Sequence, residues 1–258
     1  MVKRSDNKIL NVIYVLIGFI GLLLIWEISS KINNNPSTYP DVIDTFKKLI
    51  ELLSNQQTYK AIFTSLGTIL ITLLISFIFA IILGTLSGLF NSINKILTPL
   101  ITFMKVIPTA CIVVLLIVFV KSFYSTIIVI FLVVFPILYE AIVNGIKNID
   151  KNIINSLRLE GLYTWNSISK VIIPSILPYM YVGIVSSFGL GMKVEIMSEI
   201  IVGSASIAGL GHLIYLSYAV NFDFVELFAL SILTLISFGI IDTILYFVKK
   251  LIKEKYNF

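Results

Sequence analysis

The sequence predicts an all-α membrane protein with six transmembrane helices and both termini on the cytoplasmic side. Three observations carry that expectation. Of its 258 residues 58% are hydrophobic and only 13% charged, with a mean hydropathy of +1.01, far more apolar surface than a water-soluble domain of this length can bury. The apolar residues fall into runs of about 20, the length needed to cross a bilayer. The net charge of +5 sits in short basic clusters beside those runs, which is topological bias and not a nucleic-acid-binding face.

The first run, Ile9 to Ser29, follows a basic start and has no small-residue cleavage motif behind it, so an uncleaved span is expected. The polar stretch from Lys31 to Tyr59 contains a turn at Tyr39-Pro40-Asp41. An amphipathic helix then places Val42, Phe46, Leu49, Ile50 and Leu53 on one face, suited to lying against the membrane. The second span, Ala61 to Phe90, is uncharged and longer than one crossing requires. Thr68, Thr72, Ser76, Ala80, Gly84 and Gly88 recur there at every fourth position, a spacing that favours close approach of a crossing helix over a path-lining role.

The third span, Leu97 to Val120, contains Lys105, which can snorkel to the interface, and Pro108, expected to kink it. Cys111 stands alone in this run as a small buried residue. The fourth span is Phe123 to Val143, with Glu140 and Asn144 at its exit. A polar, amphipathic segment follows before the fifth span, Ile176 to Ile201. Val202 to Phe222 front-loads glycine and serine, and is expected to be a loop with a short helix at the membrane surface. The sixth span, Val225 to Val248, leads into a basic tail. This arrangement places twelve basic residues on the cytoplasmic side and five outside, and a seventh span would export the tail.

Catalytic and metal-binding constellations are absent from the sequence: no phosphate loop, no HExxH, no GxSxG and a single histidine, His212, expected to hydrogen-bond in a surface loop. No cofactor and no metal are therefore expected, and no enzyme. Two features remain. In the fifth span Glu195 and Glu199 lie one turn apart, and Gly183, Ser187 and Gly191 extend their face. Charge in lipid is expensive; these residues either pair with Lys193 or a neighbour for structure, or belong to a substrate path or outer gate. An ion- or proton-coupled transporter using both glutamates is the alternative functional class. The other feature is the segment after the fourth span. Ile154, Leu157, Gly161, Trp165, Ile168 and Ile172 form an apolar face, with Arg158, Glu160 and Lys170 off it. Such a helix either docks a partner or lies on the headgroups.

That segment resembles the cytoplasmic EAA loop of permease subunits of binding-protein-dependent ABC importers. The family's loop has a glycine, nine residues, then apolar, any, apolar and proline; here these are Gly161, nine residues, and Val171-Ile172-Ile173-Pro174. The acid and two alanines that open the loop are replaced by Asn155, Ser156 and Leu157. MKVIPT (Met104 to Thr109), FPIL (Phe135 to Leu138), Glu199 followed by Gly209-Leu210-Gly211, and Asp242 before the tail resemble further family segments, closest to the sulfonate, taurine and nitrate branch. The resemblance implies the type I importer fold as one permease domain over 1–258, with a coupling loop at about 144–175. It implies two cytoplasmic ATPases carrying the ATP, a second permease copy, an external binding protein, and a multi-pass location in a bacterial plasma membrane. The residues it assigns to ATPase coupling are Asn155, Leu157, Arg158, Glu160, Gly161, Tyr163, Trp165 and Pro174.

Overall fold

The structure is a computed structural model that describes residues 8–33, 38–120, 122–150, 152–153, 155–156, 164–203 and 208–256. Among them there is no strand. Five helices are long and apolar enough to cross a membrane, and a bent pair makes a sixth crossing if it is taken as one span.

Helix α1 (Lys8–Asn33) is apolar around its whole circumference and stands largely exposed, the expected state of a helix whose surroundings are lipid. It is tied to the chain at one end: Trp26 Nε1 donates to the Pro40 carbonyl and Ser30 Oγ to that of Tyr39. The Val42 amide donates to Glu27. Helix α2 (Val42–Leu53) is capped by Asp41, whose side chain accepts from the Asp44 amide. Thr45, Leu49 and Leu52 pack inward, while Phe46, Ile50 and Leu53, from the face expected to lie against the membrane, stay exposed. Lys48 bridges to Glu51 at 3.4 Å and to Glu226 at 3.5 Å. Burial disfavours its charge, but Glu226 and Glu51 outweigh that and hold the ammonium above its usual range.

Helix α3 (Gln56–Leu89) carries the small-residue stripe, and Thr68, Thr72, Ser76, Ala80 and Gly84 are all buried. The partner is α6 (Ser122–Lys147). A Cβ on Gly84 would meet Ile142 at 3.1 Å, and one on Gly88 would meet Ile146 at 2.7 Å. The small residues therefore serve helix packing.

The third run forms two helices, α4 (Asn91–Val106) and α5 (Thr109–Phe119), bent by 94°. A kink at Pro108 is what the sequence suggests; the structure makes a full break there. Ile107 and Pro108 both take extended backbone, because proline excludes its predecessor from the helical region and offers no N–H of its own. Lys105 does more than snorkel: its Nζ reaches both Glu140 oxygens, at 2.8 and 2.9 Å. The adjacent Tyr139 donates to Asn94 at 3.4 Å, so two consecutive α6 residues hold α4 near both its ends. Cys111 is exposed on α5, not buried.

Helix α7 (Ile173–Val202) ends at Gly203, whose φ of 57° closes the helix in the left-handed region. A Cβ there would strike the Tyr215 ring at 2.8 Å. Helix α8 (Leu210–Tyr215) continues into a π-helical turn, Leu216–Val220, and α9 (Phe224–Tyr256) follows. The 202–222 region does contain a short helix, but it is packed inward and not laid on a surface. Leu210, Leu213 and Ile214 join Leu49, Leu52, Ala61, Ala229, Leu230 and Leu233 in a core that unites α2, α3, α8 and α9. The larger core lies between α3, α4, α5, α6 and α7.

Candidate functional site: the two ends of helix α7

The first end of α7 receives the amphipathic segment. Trp165–Ser167 forms a helical turn and Ile168–Ile172 a π-helical turn that runs straight into α7. Thr164 Oγ1 accepts from the Ser167 amide at 3.3 Å and lies 2.8 Å from the Ser167 hydroxyl, which closes the start of the turn. Pro174 is the second residue of α7, directly after the π-helical turn. Ile172 is buried in the main core with Ile149 and Ile176. Asn155 lies in a short exposed helical stretch. Leu157, Arg158, Glu160, Gly161 and Tyr163 lie outside the described residues, as does the side chain of Trp165.

Along α7, Gly183, Ser187, Gly191, Glu195 and Glu199 lie on one face and are all buried within the chain. A Cβ on Gly183 would meet the Ala141 Cβ at 2.6 Å; one on Gly191 would meet Val134 at 3.1 Å and Ile69 at 3.3 Å. The face is thus wedged between α6 and α3. Lys193 is exposed, and no ion pair joins it to either glutamate among the described residues.

At the second end Glu199, 2% exposed, gathers three elements. The Ser65 hydroxyl of α3 lies 3.2 and 3.1 Å from its two oxygens. The Gly211 amide donates to Oε2 at 2.7 Å, and the Leu210 amide donates to Ser65 Oγ at 2.9 Å. The glycines are required by this clasp. A Cβ on Gly209 would fall on the Glu199 carboxylate, and one on Gly211 would strike Glu199 Cβ and the Ile196 carbonyl at 2.6 Å each. The acid and the Gly209-Leu210-Gly211 turn, ten residues apart in sequence, are thereby one structural unit. Ser65 was not singled out by sequence; its signal is its position three residues before Thr68, on the same buried stripe.

The neighbouring Glu195, at 0% exposed, has no hydrogen-bond partner on either oxygen. His212, expected in a surface loop, is buried, and its Nδ1 has no partner. No group of three or more metal-ligating side chains occurs among the described residues.

The family described as "Binding-protein-dependent transport system inner membrane component" matches residues 76–257. No curated protein sequence matches the chain. Among solved structures, a chain from inward-facing conformations of the MetNI methionine ABC transporter superposes with a TM-score of 0.57 at 15% identity. The match covers 78% of this chain and 96% of that one. At that identity the likeness speaks for the fold.

Proposed function

The chain belongs to the family of binding-protein-dependent transport system inner membrane components and is a permease component of an ABC importer; on that footing we propose that α7 is its coupling rod. The family is one of transporter components that work with ATPase and substrate-binding partners. In this reading two ATPases dock on the segment that includes Asn155, Leu157, Arg158, Glu160, Gly161, Tyr163, Trp165 and Pro174. A second permease copy completes the path across a bacterial plasma membrane, and an external binding protein delivers solute to it. ATP-driven approach of the ATPases pushes the segment, and alternating access follows from rigid-body movement.

The observation that carries this reading is the helical run from Trp165 to Val202. The docking segment lies at its start and Glu199 near its end. Pro174 and Glu199 are separated by about 37 Å of helix at 1.5 Å per residue. A stiff rod of that length delivers a push at one end to the clasp at the other. Gly183, Ser187, Gly191, Glu195 and Glu199 then serve the path as its outer gate, by holding the Gly209–Gly211 turn against α3. Asn155 replaces the family's acid, so docking at that point is through a neutral side chain. The solute is proposed to be a small polar nutrient of the sulfonate, taurine or nitrate class, on the resemblance of the MKVIPT, FPIL and SEIIVG stretches. The alternative of an ion-coupled transporter is set aside because the family match covers both glutamates.

The test is co-purification with an ABC ATPase from the same genome. The wild-type chain is expected to retain the ATPase, and Gly161→Trp to release it while leaving the chain folded. An unchanged complex with unchanged ATP hydrolysis would refute docking at this segment.

A further inference from the structure

We infer, on the footing that the chain is a permease, that the cleft between α7 and α9 beside Asp242 receives an ammonium group. Two clefts open where these helices meet. One, of about 280 Å³, is lined by leucine, isoleucine and phenylalanine side chains of α3, α6, α7 and α9. The other, of about 160 Å³, is lined by Tyr181, Val182, Val185, Ser186, Asp242 and Tyr246. Tyr181 of the polar cleft donates its hydroxyl to the Leu245 carbonyl, and Leu245 lines the apolar cleft. The two lie side by side, and they differ in chemistry.

Lipid suits the first cleft and not the second. Asp242 is exposed, five residues inside the apolar span that ends at Phe247, about 8 Å along the helix at 1.5 Å per residue. Its side chain lacks the long stem that lets a lysine snorkel. Acids in spans face protein or water-filled space and mark the route of an ion or solute.

The polar surface continues along α7. Val182, Ser186, Gly189 and Lys193 recur at helical spacing on one face. Val182, Ser186 and Lys193 are exposed, and nothing lies within 4 Å of where a Gly189 Cβ would sit. This face is turned away from the buried one of Gly183, Ser187, Gly191, Glu195 and Glu199. Among the described residues neither Asp242 nor Lys193 enters an ion pair. An acid, a hydroxyl and a lysine together make a wall for an aqueous path.

Within that wall the cleft selects a cation. Asp242 and Ser186 offer oxygens that accept from N–H groups, and tyrosine rings attract a cation over their faces. An anion there would meet the acid. Of the solute class proposed above, this selects members that carry an amine: taurine, and not nitrate. An ethanolamine lipid headgroup carries the same group.

Thiol labelling of the full chain in phosphatidylglycerol nanodiscs tests the cleft, with Ser186→Cys introduced beside Cys111→Ser. Two water-soluble methanethiosulfonates are compared, one bearing trimethylammonium and one bearing sulfonate, each rate divided by its rate with free 2-mercaptoethanol. The nearby acid is expected to favour the cationic reagent about tenfold. Asp242→Glu should keep that preference and Asp242→Asn abolish it. Excess ethanolamine should slow the labelling, and excess ethanesulfonate should not. If phosphatidylethanolamine in the nanodisc slows it equally, the ammonium group is a lipid's; if the lipid has no effect, it is a solute's. No labelling by either reagent, a preference indifferent to Asp242→Asn, or labelling indifferent to ethanolamine would overturn the proposal. The rates are read without an ATPase or a transported solute, so docking at Gly161 and the sulfonate class stand or fall separately.

Discussion

Helix α1 and the α3–α6–α7 seam are built from nearly the same apolar residues and live in opposite surroundings. Both contain glycines. Those of α1, Gly18 and Gly21, have nothing within 4 Å of where a Cβ would sit, whereas Gly88 and Gly183 would meet Ile146 at 2.7 Å and Ala141 at 2.6 Å. Hydropathy does not separate the two cases, since lipid and protein interior are equally apolar. What separates them is the four-residue recurrence of small side chains, which lets backbones approach and gains packing that lipid cannot match.

The largest expected effect breaks that comparison at the seam. Gly183→Leu or Gly88→Leu forces α6 away, and overpacking of this kind costs about 1–3 kcal/mol. Thermal unfolding in detergent should drop clearly for both, while Gly18→Leu should match the wild type. Equal behaviour of all three would mean that the seam is not close-packed. Next comes the clasp. Glu199→Ala strands the Ser65 hydroxyl and the Gly211 amide, and an unmade buried hydrogen bond costs about 1–3 kcal/mol. Protease cleavage within 203–209 should accelerate, and an unchanged cleavage rate would show that the turn is held by packing alone.

Smaller effects are expected where the charges are partly exposed. Lys105→Glu and Glu140→Lys should each loosen α4 from α6 by less than about 1 kcal/mol, in line with exposed ion pairs. The double swap should restore the wild-type unfolding temperature; additive losses would show that the two charges do not interact. The least change is expected from Lys48→Met, which gives up the contacts to Glu51 and Glu226 but keeps the aliphatic stem against α9. A small rise in amide exchange confined to α2 is the expected signature, and none would assign the docking of α2 to Leu49 and Leu52.

The legible part of the fold was the part written in spacing. The α3 stripe, the spans themselves and the short helix within 202–222 follow from periodicity and length. The rest depended on a second surface that a single segment does not record. On α2 the periodicity picks out the face with Phe46 and Ile50, which stays exposed, but not Thr45 and Leu52, which join Leu49 in the tertiary contact. Pro108 announces a disturbance without its angle, because what the two halves pack against decides between a kink and a 94° turn. Lys105 and Glu140 are each visible as a charge near a span, yet nothing local says that they meet. Cys111 and His212 illustrate the same limit in opposite senses, the one exposed and the other buried. At the site, Glu199 and Gly209-Leu210-Gly211 were legible as one block by resemblance. That the acid fills the space the glycines vacate needed coordinates.

In the proposed coupling, ATP moves this chain through the segment at the start of α7. The most direct measurement reconstitutes it in liposomes with its ABC ATPase, the ATPase and ATP enclosed and the cognate binding protein added outside. Hydrolysis inside that rises when the binding protein is added outside, and no longer rises with Gly161→Trp, is the predicted result. Hydrolysis indifferent to the binding protein, together with solute uptake driven by a pH gradient without ATP, would contradict it.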